Sequence, residues 1–364
     1  MTHTPTADDG KAEFEQAVAR DVAGTETAVE IFERDDSTPV RRLQHLLHTH
    51  PSAIPTVVLA LSIVAFGTIA GARFFQPFNL SLVIQQVTVI GCVGVAQTLV
   101  ILTAGIDLSV GAIMVLCSVV MGKLAVILGV SAPLAIAAGL LVGAAAGFVN
   151  GVLVSLVRLP PFIVTLGTWN VFYALNLWYS HSETIRAQDI EAAAPLLQFF
   201  GIAVDIGGAR LTLGSIFMIL LFALFWYVLN WTAWGRRVHA VGDDAEAARL
   251  AGIPTGRMLL SVYVAAGVIC ALAGWVLIGR IGSVSPQAGT TANLDSITAV
   301  VIGSTSLFGG RGTIIGTLMG ALIVGVFRDG LALAGVDVLW QDFTVGLLII
   351  AAVAIDQWLR RIAV

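Results

Sequence analysis

The sequence predicts an all-α, polytopic membrane protein of about ten transmembrane helices with both termini on the cytoplasmic side. Three observations carry this reading. Of 364 residues, 57% are hydrophobic and 12% are charged, with a mean hydropathy of +0.91, whereas soluble domains carry roughly 25% charged residues. Beyond Pro51 the chain is a succession of apolar runs, each close to the ~20 residues that cross a bilayer. Thirteen of the nineteen Lys and Arg fall on one side when ten spans are threaded with both ends inside, as the positive-inside bias requires.

Residues 1–50 hold ten acids and five Lys or Arg, while residues 51–364 hold thirteen and fourteen. The acidic balance thus belongs to the first fifty residues, which read as a polar cytoplasmic tail. They lack the basic start and short apolar core of a signal peptide. The apolar body, 51–364, divides into runs at 53–71, 80–103, 108–130, 132–157, 162–180, 211–230, 258–282, 296–309, 313–334 and 339–359. Between Lys123 and Arg158 lie 34 uncharged residues, too many for one span, and the turn signal Gly129–Pro133 divides them. The run 296–309 is short and rich in Gly, Ser and Thr, which predicts a broken helix buried within the protein. Residues 181–210 and 283–295 form outer loops; residues 231–257 form the largest inner loop.

One carboxylate stands out. Asp107 lies in LTAGIDLSVGAIM (102–114), between the second and third spans. There it is expected to cap the third helix at the cytoplasmic face while staying near water, with Lys123, roughly 24 Å further along that helix, reaching toward the outer face. Glycines give a second pattern. Gly139, Gly143, Gly147 and Gly151 in the fourth span, and Gly312, Gly316 and Gly320 in the ninth, recur every fourth residue, a spacing that lets helix backbones pack closely. GIDLSVG (105–111) and GRGTIIG (310–316) share a Gly-x5-Gly frame, which hints at internal duplication.

No reactive constellation is visible. His181 and His239 lack metal-ligand spacing, the other four histidines lie in the tail, and no phosphate-binding loop follows either lysine. Cys92, Cys117 and Cys270 lie in apolar segments as small core residues. An ion-coupled carrier, the alternative reading, keeps ionisable groups near the bilayer midplane; here the charges are expected in loops or toward span ends, with Arg328 and Asp329 locally paired. The span interiors offer neutral polar groups instead. Gln86, Gln97, Thr165, Asn170 and Asn176 are candidates to line a path for a hydroxyl-rich solute.

The inner loop is the most informative segment. Its run Asp243-Asp244-Ala245-Glu246-Ala247-Ala248-Arg249-Leu250-Ala251 is predicted as a short helix with acids at its N-terminal end. Gly252 ends it and Pro254 prevents its return. A capped helix projecting from an inner loop suits a groove on a cytoplasmic partner.

The residues Glu246-Ala247-Ala248 with Gly252 resemble the E-A-A-x-x-x-G coupling motif of ATP-binding-cassette (ABC) importer permeases. LTAGIDLSVGAIM, with Gly105, Asp107, Ser109 and Gly111 as its signature turn, PPFIVTLGT (160–168), AGTTANLDSITAVVIG and TSLFGGRGTIIGTLMGAL are similar to the ribose/xylose/fructose class of monosaccharide permeases. The wording as a whole is most similar to bacterial fructose permeases of that class. The chain departs from the class pattern in its long tail and at Ser304, where glycine is expected. The resemblance implies an inner-membrane permease without an ATPase site or cofactor of its own, forming a homodimer. ATP and Mg would be used by partner ABC ATPase subunits, the 243–252 helix would be their coupling element, and a periplasmic sugar-binding protein would deliver the solute.

Overall fold

The computed structural model of the chain describes residues 53–362; the expected polar tail over 1–50 lies outside them. The helices are α1 (Ala53–Ala70), α2 (Pro77–Leu102), α3 (Val110–Gly122, continued as a π turn through Ile127), α4 (Ala132–Ser155) and α5 (Pro161–Ser180). The outer loop then forms α6 (Ala187–Ala193), a 3₁₀ turn (Pro195–Gly201) and a hairpin of β1 (Ala203–Ile206) and β2 (Ala209–Thr212). Next come α7 (Leu213–Trp231), α8 (Ala233–Asp243), α9 (Ala245–Leu250), α10 (Thr255–Ile281), α11 (Ala292–Ile302), α12 (Ile314–Leu333) and α13 (Val338–Ile362).

Each predicted apolar run contains a helix. Among the described residues, seven helices (α1, α2, α3, α4, α7, α10 and α12) are long and apolar enough to cross a membrane. The expected ten is therefore not established by length and composition. α5 carries Thr165, Thr168, Asn170 and Asn176, and α11 is eleven residues long. The outer loop is not featureless. Its Phe200 ring stacks edge-on against Trp275 of α10 at 4.7 Å, and Ile185 pairs in a β-bridge with Val284, so the two outer loops meet.

α10 runs through the centre, packed against α2, α3 and α4. The α4 glycines explain how closely. A Cβ on Gly147 would lie 2.2 Å from the Tyr263 carbonyl oxygen, and one on Gly143 2.5 Å from that of Gly267. In α12, Gly316 and Gly320 abut α11 in the same way, with Cβ positions 2.1 Å from Gly303 O and 1.9 Å from Ala299 O. Gly312 departs from that register: it precedes α12, with φ +154°, because the helix is capped by Thr313, whose Oγ1 accepts from Gly316 N.

The segment after α2 corrects the expectation for Asp107. α2 ends at Leu102 in a left-handed cap: Ala104 has φ 60°, its N–H donates to Ile101 O (2.9 Å) and Gly105 N to Val100 O (3.1 Å). The chain then turns back into the protein. Gln97 lies five residues before the helix end and thus roughly 7 Å inside it; with its amide oriented so that the nitrogen faces the Asp107 carbonyl, it donates to that carbonyl (2.9 Å) and accepts from the Asp107 N–H (3.3 Å). Asp107 is 1% exposed. Its Oδ1 accepts from Ser109 N (2.7 Å) and Ser109 Oγ (2.6 Å), and Ser109 Oγ accepts from Asn150 of α4 (2.8 Å). Asp107 thus fastens a buried turn at the entry to α3 and does not stand near water.

Ser304 repeats the cap two hundred residues later. It has φ 61°, which explains the expectation of glycine there; Ser304 N donates to Val301 O (3.0 Å) and Thr305 N to Val300 O (3.2 Å). The two Gly-x5-Gly frames agree at their second glycines, Gly111 and Gly316, each in the first turn of its helix, but not at their first: Gly105 follows the left-handed Ala104 by one residue, Gly310 the left-handed Ser304 by six. The backbone match is between Ala104 and Ser304.

α11 starts in the interior beside the start of α3, a Cβ on Gly111 lying 3.3 Å from Asn293 N. Its Asp295 pairs with Arg328 of α12 (2.9 Å), which also meets Asp342 of α13 (3.2 Å). Asp329 accepts from Asn79 of α2 (2.8 Å). Arg328 and Asp329 are thus paired within the bundle, whereas Asp107 and Asp295 are buried rather than peripheral. Lys123 reaches toward the outer end of α5. It donates to the Tyr179 carbonyl at the end of α5 (2.6 Å).

Two outcomes follow for stability. Gly147→Ala is expected to lower stability by about 1–3 kcal/mol by wedging α4 from α10, whereas Gly346→Ala, with open space around it, gains up to about 1 kcal/mol in helix propensity; thermal unfolding in detergent micelles compares them. Asp107→Ala strips acceptors from Ser109 in a dry interior and is expected to cost about 1–3 kcal/mol, most of it recovered in Asp107→Asn. A wild-type unfolding temperature for Asp107→Ala would refute the fastening role.

Candidate functional site

The inner loop folds as two helices. Thr232 caps α8, its Oγ1 accepting from Gly235 N (3.2 Å). Val238 and Val241 are buried on one face of α8 while Arg236 and Arg237 are exposed on the other. Asp244 then takes an extended backbone and caps α9, its Oδ1 accepting from Glu246 N (2.8 Å) and Ala247 N (2.9 Å). Asp243 is therefore the last residue of α8, not the first of the short helix; the extended backbone of Asp244 separates the two.

Across one turn of α9, Arg249 bonds both oxygens of Glu246, at 3.0 and 2.5 Å. These bonds and the guanidinium charge hold the Glu246 carboxyl below its ordinary range. Ala248 points inward, while Ala247 and Leu250 face out, Leu250 at 77% exposure. Gly252 closes the helix at φ 82°, its N–H donating to Arg249 O (3.0 Å) and that of Ile253 to Ala248 O (3.0 Å). A Cβ on Gly252 would meet nothing within 4 Å. The surface formed by Glu246, Ala247, Arg249, Leu250 and Gly252 is thus preformed and open.

This surface is joined to the membrane core by backbone contact. A Cβ on Gly242 would lie 1.7 Å from the Leu102 carbonyl oxygen and 2.7 Å from Gly310 N, and one on Gly309 2.5 Å from Gly242 O. Gly310 N in turn donates to Leu102 O (3.0 Å). The His239 ring donates through Nδ1 to Gly310 O (3.1 Å). The end of α8, the cap of α2 and the 309–310 turn therefore meet with no side chain between them. The sequence reading missed Gly242, Gly309, Gly310 and His239. Their signal was the Gly309-Gly310 pair in a polar turn, which spacing alone does not connect to a segment seventy residues away.

The signature turn Gly105, Asp107, Ser109 and Gly111 lies directly beyond that junction. The five residues proposed for the solute path fall into two groups. Gln97 is fully buried against Asp107, Thr165 Oγ1 donates to Ile106 O (2.9 Å) and Asn176 Nδ2 to Pro286 O (2.7 Å). These three are buried and hold backbone segments. Asn170 is exposed on α5, bonding Leu166 O of its own helix (3.1 Å), and Gln86 is half-buried on α2.

Comparisons with known proteins agree with this architecture. The family described as branched-chain amino acid transport system / permease component matches residues 79–353. A fructose import permease protein of Rhizobium meliloti is 58% identical over 363 residues, covering all of both chains. A ribose import permease protein of Bacillus subtilis is 39% identical over 81% of this chain and 89% of its own. A D-allose transport system permease protein of Escherichia coli is 34% identical over 84% and 91%. No solved structure matches. These relatives place the chain among importer permeases rather than ion-coupled carriers or enzymes. The chain belongs to this family of transport-system permease components, as a multi-pass subunit of the inner membrane.

Proposed function

We propose that this chain is the membrane-spanning subunit of an ABC importer for a monosaccharide, with fructose as its solute. The observation that carries the reading is the open, double-capped α9 seated through Gly242 on the turns that lead into α3 and α12. An element meant only to connect two spans needs neither the Asp244 cap nor a side-chain-free joint to the core. The solute class rests on the relatives named for fructose, ribose and allose import, and fructose on the relative that matches over its whole length.

In this reading a cytoplasmic ATPase, which binds ATP and Mg, holds Glu246, Ala247 and Leu250 in a groove. Its closure shifts α8 and α9, and the shift passes through Gly242 to Leu102 and Gly310. The turns 103–109 and 303–313 then move as one piece against α4 and α5. A periplasmic binding protein delivers sugar to the outer loops, and a second copy of this chain completes the permease as a homodimer.

Charge reversal in Glu246→Arg and crowding in Gly252→Leu test the coupling assignment. Glu246→Arg changes an exposed pair and should shift stability by no more than about 0.5 kcal/mol. Both variants should assemble poorly with the ATPase and lose at least 10-fold in ATP-driven fructose uptake by proteoliposomes. Wild-type uptake by both would refute the role of α9.

A further inference from the structure

A cavity of about 200 Å³ lies between α3, α5 and the segment leading into α11, lined by Trp169, Tyr173, Gly111, Ala112, Thr290 and Asn293 among others. It is small beside the 300–1,000 Å³ of typical ligand sites, which suits one compact solute. Trp169 lies eight residues beyond the start of α5, roughly 12 Å along it, so the cavity sits near the middle of a ~30 Å hydrocarbon layer. α3 and α11 both begin at its wall. Interrupted helices meeting near the midplane are where transporters commonly place their solutes.

The lining has a specific chemistry. Trp169 and Tyr173, one turn apart on α5, stack with ring centroids 6.3 Å apart and planes at 23°, giving a broad apolar platform. Across from it Gly111 and Ala112 offer almost no side chain, which leaves the space open. Four polar groups of the lining residues form no hydrogen bond among the described residues and remain accessible: Trp169 Nε1, Tyr173 Oη, Thr290 Oγ1 and Asn293 Oδ1. Asn293 is 8% exposed, and its Nδ2 is held by Leu108 O at 3.3 Å, which orients the oxygen. Asn176 fixes the adjoining Pro286 carbonyl. No charged side chain lines the cavity.

We infer that this cavity is a monosaccharide-binding station within the permease, with the Trp169–Tyr173 platform taking the C–H face of the sugar and Thr290 and Asn293 taking hydroxyls. The inference rests on the transport reading above and adds the site at which the solute pauses. An acyl chain or an aliphatic side chain would leave the four polar groups unpartnered. A zwitterionic amino acid would find no charged partner. A sugar ring has both the apolar face and the donors and acceptors the lining needs.

Two measurements decide it. Thr290 is exposed, whereas the native cysteines are buried, so Thr290→Cys in the assembled transporter can be labelled with a maleimide. Fructose or ribose should slow labelling at least threefold, and sorbitol, an open-chain polyol, should not. In proteoliposomes loaded with ATP, Trp169→Ala should lose at least 10-fold in sugar uptake and Trp169→Phe should retain at least half. Normal uptake by Trp169→Ala, or labelling indifferent to fructose and ribose, overturns the cavity assignment and leaves the importer reading standing. Wild-type vesicles that take up neither sugar would instead contradict the importer reading, and labelling would still decide the cavity.

Discussion

The carbonyl of Leu102 occupies the space a side chain at position 242 would fill, 1.7 Å from where its Cβ would be. Much of the inner side of this protein depends on that contact. It fixes the end of α8 on the cap of α2, and the Gly309-Gly310 turn closes the triangle through a backbone hydrogen bond to the same carbonyl. Side chains absorb displacement by changing rotamer, whereas close-packed backbone has little such freedom. A junction built from backbone therefore transmits movement instead of dissipating it. The exposed α9, one residue beyond α8, is attached to the bundle through it.

The same economy appears deeper inside. Asp107, Ser109, Asn150, Gln97 and Thr165 form one set of hydrogen bonds around the turn that opens α3. In an apolar interior an unpaired polar group is costly, so the set holds together as a unit. Asp107 reads in the sequence as a helix cap near water, and Gln97 and Thr165 as candidates for a solute path; in the structure all three hold a re-entering backbone. Glycine faces on α4 and α12 bring the neighbouring helices close enough for that backbone to be reached.

The helical class, the ten apolar runs, the glycine face of α4 and the short capped helix were legible in the sequence, because period, length and capping chemistry are local properties. The burial of Asp107 was not. A carboxylate near a helix end reads as water-facing unless the turn is known to fold inward, and that depends on Gln97 and Asn150, residues ten and forty-three positions away. The outer hairpin was missed because eight strand residues between helices carry little periodic signal. The junction at Gly242 was missed because glycine in a loop has many explanations, and only tertiary contact selects one. The aromatic platform at Trp169 and Tyr173 has helical i, i+4 spacing that an ordinary packed face would share.

The central claim is that α8 and the buried turns move as one body. Spin labels at exposed Arg237 of α8 and exposed Phe308 of the 303–313 turn report on it directly, by double electron–electron resonance on the assembled transporter with and without trapped ATP. The account predicts that the intramolecular 237–308 distance stays constant while the distance between Arg237 labels on the two copies of the proposed homodimer changes by several ångströms. A 237–308 distance that shifts as far as the distance between copies would show that α8 slides over the turns, and the backbone junction would not be the route of coupling.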